Sequence, residues 1–313
     1  MKKKIYFFSG TLVVLALIGV GIAGNYFYGE SVKRGKSVDL YSGASPANTI
    51  ETNAVIEEAN RWYNEQTIQT FELTTFDGLV LKANYLSHHK STGKVVILAH
   101  GYRGNKEDMS EYVKLYYDLG YDVLIPDARG HGESEGDYIG YGWHDRKDYQ
   151  EWIQRLIDEE GKDTILLHGN SMGAALVLMA SGEKLPQEVK GIIADSGYTS
   201  VQDELTYQLK HLYNLPAFPL MGITSVITNI RTGYTFEEAS AIEQVKKNSR
   251  PLLIIHGAAD QLVPTEMADE LYEAATGNKE LWIVPDAGHT EAFTVAPVEF
   301  QKRVNEFVQK VTD

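Results

Sequence analysis

The chain has 313 residues, a formal net charge of −14 and no cysteine. The lack of cysteine excludes disulfide bonds, thiolate nucleophiles and zinc–thiolate sites. The strong negative charge, with no basic stripe to offset it, argues against a nucleic-acid partner. The length is normal for one large α/β domain that carries an insertion.

The first 30 residues differ in composition from the rest of the chain. Three lysines, Lys2 to Lys4, precede an uncharged run from Ile5 to Gly29. About 20 apolar residues are needed to cross a bilayer, so residues 1–30 are expected to form an uncleaved single-pass anchor outside the globular domain. The leading lysines favour a cytoplasmic N-terminus and an extracytoplasmic catalytic domain. Cleavage near Gly21 to Ala23, which would give a secreted protein, is the alternative.

Residues 31–66 are expected to form a polar linker and a leading helix, and residues 67–313 the main domain. In that domain short apolar runs alternate with helical patterns, and Asp77-Gly78 predicts a hairpin turn. The predicted helices are Ala47–Gln66, Asp108–Leu119, Trp143–Glu159, the helix after Ser171, Thr265–Ala275 and Pro297–Val311. The predicted strands are Phe71–Thr75, Leu79–Leu86, Lys94–Ala99, Asp122–Ile125, Ile165–His168, Gly191–Ala194, Leu252–His256 and Leu281–Val284. Such alternation predicts a parallel sheet with right-handed crossovers.

The alternation is interrupted between about residues 196 and 250. This stretch is rich in apolar and aromatic residues and contains Pro216 and Pro219. We expect it to form a small helical cap that shapes a pocket over the strand ends. A longer crossover connection is the alternative.

The sequence Gly169-Asn170-Ser171-Met172-Gly173 lies between a predicted strand and a predicted helix. This G-x-S-x-G spacing is typical of a nucleophile elbow, a tight turn that exposes a serine hydroxyl at a helix N-terminus. Glycine fits at the two outer positions because the turn leaves little room for a side chain. Ser171 is therefore the candidate nucleophile.

An activated serine also needs a base, an orienting acid and an oxyanion site. His289 and Asp260 each follow a predicted strand and complete the chain order Ser…Asp…His. Asp195, which follows the strand after the elbow, is the competing acid. The backbone N–H groups of Tyr102 and Met172 are the predicted oxyanion hole.

The remaining histidines and the loop 126–136 are interpreted as structural. His100, His168 and His256 lie at predicted strand ends, and His131 is a weaker competitor for the base. The loop matches neither a phosphate-binding nor a calcium-binding motif, so no metal or cofactor is expected. Asp127 and Arg129 are expected to pair with each other and hold the loop.

Together these motifs resemble those of the α/β-hydrolase superfamily over about Phe71 to Val311. The stretches Tyr138–Asp148 and Tyr234–Val245 also look like a bacterial membrane-anchored subgroup of esterases or serine peptidase-like hydrolases. The resemblance implies a mostly parallel eight-stranded sheet, a helical cap, a Ser-His-Asp triad and no cofactor. The family does not identify a substrate, because one fold hosts many functions.

The expected function is that of a serine hydrolase, foremost a carboxylic-ester hydrolase on small molecules, with no obligate protein partner. An exopeptidase on short peptides is an alternative, with Glu237 and Glu238 as candidates to hold a peptide terminus. A monoacylglycerol or lysophospholipid lipase is another. From a different class, the chain would be a non-catalytic binding module on the same fold.

Overall fold

One eight-stranded sheet organises the structure, a computed structural model that describes residues 18–35, 50–90 and 92–312. The strand order is β1-β2-β4-β3-β5-β6-β7-β8, with antiparallel pairing only of β2 with its neighbours β1 and β4. The strands are β1 Gln69–Thr74, β2 Val80–Leu86, β3 Lys94–Ala99, β4 Asp122–Pro126, β5 Thr164–Asn170, β6 Val189–Asp195, β7 Leu252–Gly257 and β8 Lys279–Val284. The predicted mostly parallel sheet flanked by helices is confirmed.

Helices cover both faces of this sheet. Val95 and Ile97 of β3 point into one hydrophobic core, and Val96 and Leu98 point into the other. This division follows from the two-residue period of a strand and explains why the central strands are almost continuously apolar. The helices are α1 at residues 18–31, α2 Ile50–Asn64, α3 Ser110–Asp118, α4 Asp145–Asp158, α5 Met172–Ser181, α6 Val201–Tyr213, α7 Leu220–Thr232, α8 Ala241–Val245, α9 Glu266–Ala274, α10 Ala292–Val295 and α11 Pro297–Thr312.

The insertion between β6 and β7 contains α6, α7 and α8. Ser200 starts α6 as its N-cap by accepting a hydrogen bond from the Asp203 backbone N–H, and Asn214 ends it in the left-handed conformation. Helix α7 ends in the same way at Gly233. The apolar stretch that was predicted to form a helical cap is thus helical, and its helices lie over the carboxyl ends of the strands.

The described part of the N-terminal segment, residues 18–35, packs on the domain. This differs from the expectation that residues 1–30 lie outside the globular domain. Tyr28 and Val32 are buried in the main core, and Gly24 lies directly against Ile223 of the cap. The Arg34 guanidinium donates to three carbonyl oxygens of the loop 132–136. Most of the predicted anchor and most of the predicted linker, residues 1–17 and 36–49, lie outside the described residues. Within the described ranges, no helix is both long and apolar enough to cross a bilayer.

The predicted pairing of Asp127 with Arg129 is wrong, because each side chain has other partners. Arg129 is fully buried and makes a two-pronged ion pair with Asp148, and it also binds Asp77. Asp127 instead accepts hydrogen bonds from the backbone and side chain of Lys106. Both carboxylate–cation contacts are structural, as expected, but they connect the loop to elements that are distant in sequence.

The turn at Ser171 has the strained geometry of a nucleophile elbow. Ser171 has φ 56° and ψ −118°, a conformation that L-residues rarely adopt. A Cβ atom at Gly173 would overlap the carbonyl oxygen of Ala99 in β3, and one at Gly169 would overlap the carbonyl of Gly173. The two glycines are therefore required by backbone-to-backbone contact.

We expect Gly173→Ala to destabilise the fold by about 1–3 kcal/mol or more, because the overlapping atom belongs to a rigid strand backbone. The matched control is Gly222→Ala in α7, where an added Cβ meets nothing within 4 Å. That control should be neutral or slightly stabilising, since alanine is the better helix former. Thermal unfolding of both variants measures the difference. A Gly173→Ala protein as stable as wild type would contradict the elbow geometry.

Candidate active site

Three side chains from separate strand ends form one hydrogen-bonded chain. The Ser171 Oγ lies 2.7 Å from His289 Nε2, and His289 Nδ1 lies 2.7 Å from Asp260 Oδ2. Ser171 follows β5, Asp260 follows β7 and His289 follows β8. Because carboxyl ends of parallel strands share one sheet edge, residues 118 positions apart come into contact. The structure therefore brings together the three residues predicted as nucleophile, base and acid.

Asp260 is held as a charged group by several donors. Its Oδ1 accepts from the backbone N–H groups of Leu262 and Val263, and its Oδ2 lies 2.7 Å from His289 and 3.1 Å from His256. Burial by itself disfavours the carboxylate, but the hydrogen bonds from His256 and His289 outweigh it and hold the pKa of Asp260 well below its usual range. The carboxylate is thus available to orient the imidazole of His289.

His256 is a member of the site that the sequence interpretation treated as structural only. Its Nε2 lies 2.9 Å from the carbonyl oxygen of Val263 and also faces Asp260. Its side chain is fully buried. One sequence signal could have indicated this role. His256 precedes Asp260 by four residues across a turn of small residues, and this turn brings its ring into contact with the Asp260 carboxylate.

Asp195, the competing acid, points elsewhere. Its side chain accepts hydrogen bonds from the Ser196 hydroxyl and the Tyr112 hydroxyl. Burial raises the pKa of Asp195 to about 6. Its backbone carbonyl accepts the N–H of Ser171 at 2.8 Å, so this residue supports the elbow through its main chain.

The predicted oxyanion donors lie beside Ser171. Met172 is the first residue of α5, so its backbone N–H has no carbonyl of its own helix to bind. Gly101, which precedes Tyr102, packs so close that an added Cβ would lie 3.4 Å from the Ser171 Cβ. This places the backbone of the β3 loop next to the serine, and Tyr102, Ser171 and Met172 line the same pocket.

The other histidines have structural partners. His100 Nε2 accepts the backbone N–H of Ala128, and His131 Nε2 accepts that of Arg103. His168 is fully buried and its Nδ1 contacts the Tyr116 hydroxyl. Burial lowers the pKa of His131 to about 3, so this ring stays neutral at physiological pH. Its Nδ1 lies 3.0 Å from the Arg129 carbonyl oxygen and its Nε2 accepts the Arg103 N–H, so both ring nitrogens of this competing base are occupied away from Ser171.

A pocket opens above Ser171. Its wall is mostly apolar and is built by the cap, the β3 loop and the N-terminal segment. The main apolar contributors are Phe27, Tyr102, Tyr141, Tyr198, Leu205, Leu209, Leu212, Tyr213, Leu220, Met221, Phe236, Leu262 and Val263. Such a lining suits an apolar chain rather than a charged substrate.

The N-terminal segment completes this pocket at the end of α1. The carbonyl oxygen of Ser31 accepts hydrogen bonds from the Tyr102 and Tyr141 hydroxyls at 2.7 Å each. The Arg103 guanidinium donates to the carbonyl oxygen of Glu30 at 2.6 Å. Phe27 and Ser31 line the pocket. Sequence patterns did not reveal this role, because the contacting residues are about 70 to 110 positions apart.

Glu204 and Gln208 of α6 are polar residues of the pocket wall, which also includes Glu30, Ser31 and Thr224. The Gln208 amide donates to Glu204 Oε1 at 3.1 Å and also to the Leu262 carbonyl. Among the described residues, no hydrogen-bond partner reaches Glu204 Oε2. Burial raises the pKa of Glu204 to about 8, so the carboxyl is protonated at neutral pH.

This protonated carboxyl should make stability depend on pH. The pKa of Glu204 is about 8 in the fold against an ordinary value of 4.5, so the folded state holds a proton that the unfolded state releases. Stability is therefore lost as the pH rises through this window, at about 1.4 kcal/mol per pKa unit as an upper bound. Glu204→Gln cannot ionise, so the difference between its melting temperature and that of wild type should shift in favour of the variant as the pH rises from about 5 to 8. Glu204→Met should also lack this pH dependence. If the melting temperatures of wild type and both variants change with pH in the same way, Glu204 is not the protonated group.

Comparison with known proteins agrees with this fold. The family model described as "Alpha/beta hydrolase family" matches residues 96–303. The Pyrococcus furiosus esterase Pf2001 is 27% identical with a TM-score of 0.65, over 79% of this chain and 94% of that one. The uncharacterized protein YqkD of Bacillus subtilis is 28% identical over 99% of both chains. The lysophosphatidylserine lipase ABHD12 of Danio rerio is 27% identical over 63% of this chain and 51% of that protein. The chain belongs to the α/β-hydrolase family.

Proposed function

We propose that the protein is a serine hydrolase that cleaves carboxylic esters with an apolar acyl chain, through an acyl-enzyme on Ser171. The observation that carries the proposal is the hydrogen-bonded chain from Ser171 through His289 to Asp260 at the base of an apolar pocket. A serine that only capped a helix would need neither partner.

The geometry assigns each group a task. His289 Nδ1 faces the Asp260 carboxylate and carries the proton, so Nε2 is free to accept the proton of the Ser171 hydroxyl. The serine oxygen attacks the acyl carbon, and the protonated His289 then donates to the leaving alcohol. Water then gives a proton to His289 while its oxygen attacks the acyl carbon. The bond from that carbon to the serine oxygen breaks, the carboxylic acid leaves, and His289 returns the proton to Ser171.

The tetrahedral intermediates carry a negative oxygen that must be stabilised. The backbone N–H groups of Met172 and Tyr102 are the proposed donors, supported by the open N-terminus of α5 and the close approach of Gly101 to Ser171. The partial positive charge at the N-terminus of α5 favours the same oxygen.

An ester substrate is favoured over a peptide by the pocket lining. Glu237 and Glu238, the predicted holders of a peptide terminus, are absent from the pocket wall, and Glu238 instead accepts from the Trp143 indole. Two acids line the wall. The raised pKa of Glu204 leaves it uncharged at neutral pH and hence a poor partner for an ammonium group, and Glu30 lies at the end of α1. The esterase Pf2001 and the lipase ABHD12 add support by likeness.

The proposal includes attachment to the cell membrane through residues 1–30, with the catalytic domain outside the cytoplasm, as in the membrane-anchored bacterial subgroup. The uncharged run from Ile5 to Gly29 after three lysines supports it. Fractionation of cells that express the full chain, with protease treatment of intact cells, tests both the attachment and its side.

Hydrolysis of p-nitrophenyl esters of graded chain length should be fastest for medium or long acyl chains. Ser171→Ala should fold normally and lose about 10⁴- to 10⁶-fold in kcat. Aminoacyl-nitroanilides assayed alongside separate an esterase from a peptidase. The proposal fails if Ser171→Ala keeps more than a few per cent of the ester hydrolysis, or if only the nitroanilides are cleaved.

The identity of the acid is tested by a matched pair of variants, Asp260→Asn and Asp195→Asn. Asp260→Asn should remain folded and lose roughly 10⁴-fold in kcat, because the wrong tautomer of His289 is then favoured. Asp195→Asn should keep most activity, since the Asp195 side chain makes no hydrogen bond to His289. Turnover and melting temperature are measured together. The opposite ranking of the two variants would assign the acid to Asp195.

A further inference from the structure

The exposed large apolar side chains are concentrated on one part of the molecule. Of the ten that the described residues include, all but Phe76 and Val298 lie on α1, on α7 or at the junction of α6 and α7. Apolar groups scattered singly over a surface are ordinary, but a contiguous cluster marks an interaction site. We call this cluster the cap face.

Helix α1 contributes one stripe of the cap face. Ile18, Ile22 and Tyr26 are spaced four residues apart, so they share one side of the helix, and each is more than half exposed. The opposite side of α1 packs on α7, where Gly24 meets Ile223 and Ile227. The stripe therefore points away from the domain.

Helix α7 and the turn before it extend the cap face. Val226 and Ile230 of α7 are 58% and 80% exposed and lie next to the ridge that contacts α1. Phe218 in the turn is 88% exposed. At the end of α6, the Tyr213 ring makes an edge contact with Phe27 of α1. The helices α1, α6 and α7 thus present one continuous apolar surface.

The charge of this region departs from that of the whole chain. From Leu205 to Phe236 the sequence has no aspartate or glutamate, although the chain carries a net charge of −14. The same stretch contains Lys210 and Arg231, and Arg231 lies over the Tyr28 ring of α1. An apolar surface whose α6–α7 part carries cations and no carboxylates matches the interface of a bilayer that contains anionic lipid.

The chain upstream of α1 indicates the same occupant. The uncharged run begins at Ile5 and continues without a charged residue into α1, and Lys2 to Lys4 precede it. A segment of this composition partitions into a bilayer, so it would hold the exposed stripe of α1 at the membrane surface. If α1 contacts the membrane, the exposed side of α7 must lie near the membrane as well, because the two helices pack together.

We propose that the cap face docks on a lipid bilayer and that the pocket opens at this docked surface. Leu212 and Tyr213 belong both to the cap face and to the pocket wall, and Phe27 and Leu220 line the pocket from α1 and α7. An acyl chain that leaves the bilayer would meet apolar groups along its whole path to Ser171. This statement about substrate entry rests on the proposed ester hydrolysis, whereas docking does not.

Docking is tested on the full chain reconstituted in phosphatidylcholine vesicles with a minor share of phosphatidylglycerol. The natural chain has no cysteine, so each variant Ile230→Cys, Ile22→Cys or Val298→Cys offers a single site for an environment-sensitive fluorophore. Lipid-borne nitroxide and dissolved iodide then report whether each label lies in lipid or in water. Val298 is the matched control, because it is 81% exposed but lies on α11, outside the cap face.

Labels at positions 230 and 22 should show blue-shifted emission, strong quenching by nitroxide lipid and loss of iodide quenching, whereas the label at position 298 should behave in the opposite way. A label at 230 that is quenched by iodide like the control overturns docking, even if the label at 22 lies in lipid. No turnover is measured, so failure of the proposed hydrolysis would leave this test intact.

Entry from the bilayer is tested by the double variant Val226→Glu and Ile230→Glu. Wild type and variant should hydrolyse a short soluble ester equally, whereas hydrolysis of an ester embedded in vesicles should be lost in the variant. Equal activity of the two proteins on the embedded ester would overturn entry through the cap face.

Discussion

The close approach of Gly173 to the carbonyl oxygen of Ala99, which an added Cβ would overlap, sets the geometry of the site. It brings the elbow of β5 so close to the end of β3 that no side chain fits between them. This approach fixes three things at once: the strained backbone of Ser171, the open N-terminus of α5 and the position of the loop through Gly101. The folded core supplies the energy that maintains this strain, since β3 and β5 are buried on both faces.

Around this rigid centre the site divides into a charged part and an apolar part. Asp260 and its donors lie beneath the imidazole of His289, where burial is compensated by hydrogen bonds. Above Ser171 the cap and the end of α1 form a wall with little polarity. In the proposed reaction, this separation would keep the proton-transfer groups apart from the acyl chain of the substrate.

Local patterns predicted most of the sheet and the three residues of the hydrogen-bonded chain. The apolar runs gave β3 to β8 within a few residues, and the glycine spacing around Ser171 predicted the elbow because its cause is local sterics. Contacts between distant segments were not predictable. Arg129 pairs with Asp77, 52 residues away, and Ser31 binds Tyr141, 110 residues away. Glu204 carries no local sequence signal for its burial, since only the tertiary packing of α6 buries it.

The proposed hydrolysis depends on Ser171 being an activated nucleophile, and a fluorophosphonate probe tests this directly. The native full chain is treated with the probe, digested, and the modified peptide is located by mass spectrometry. We predict one adduct, on Ser171, that is abolished by Ser171→Ala and by denaturation before treatment. An adduct on another residue, or labelling that persists in Ser171→Ala, would contradict the account, as would a native protein that takes up no probe.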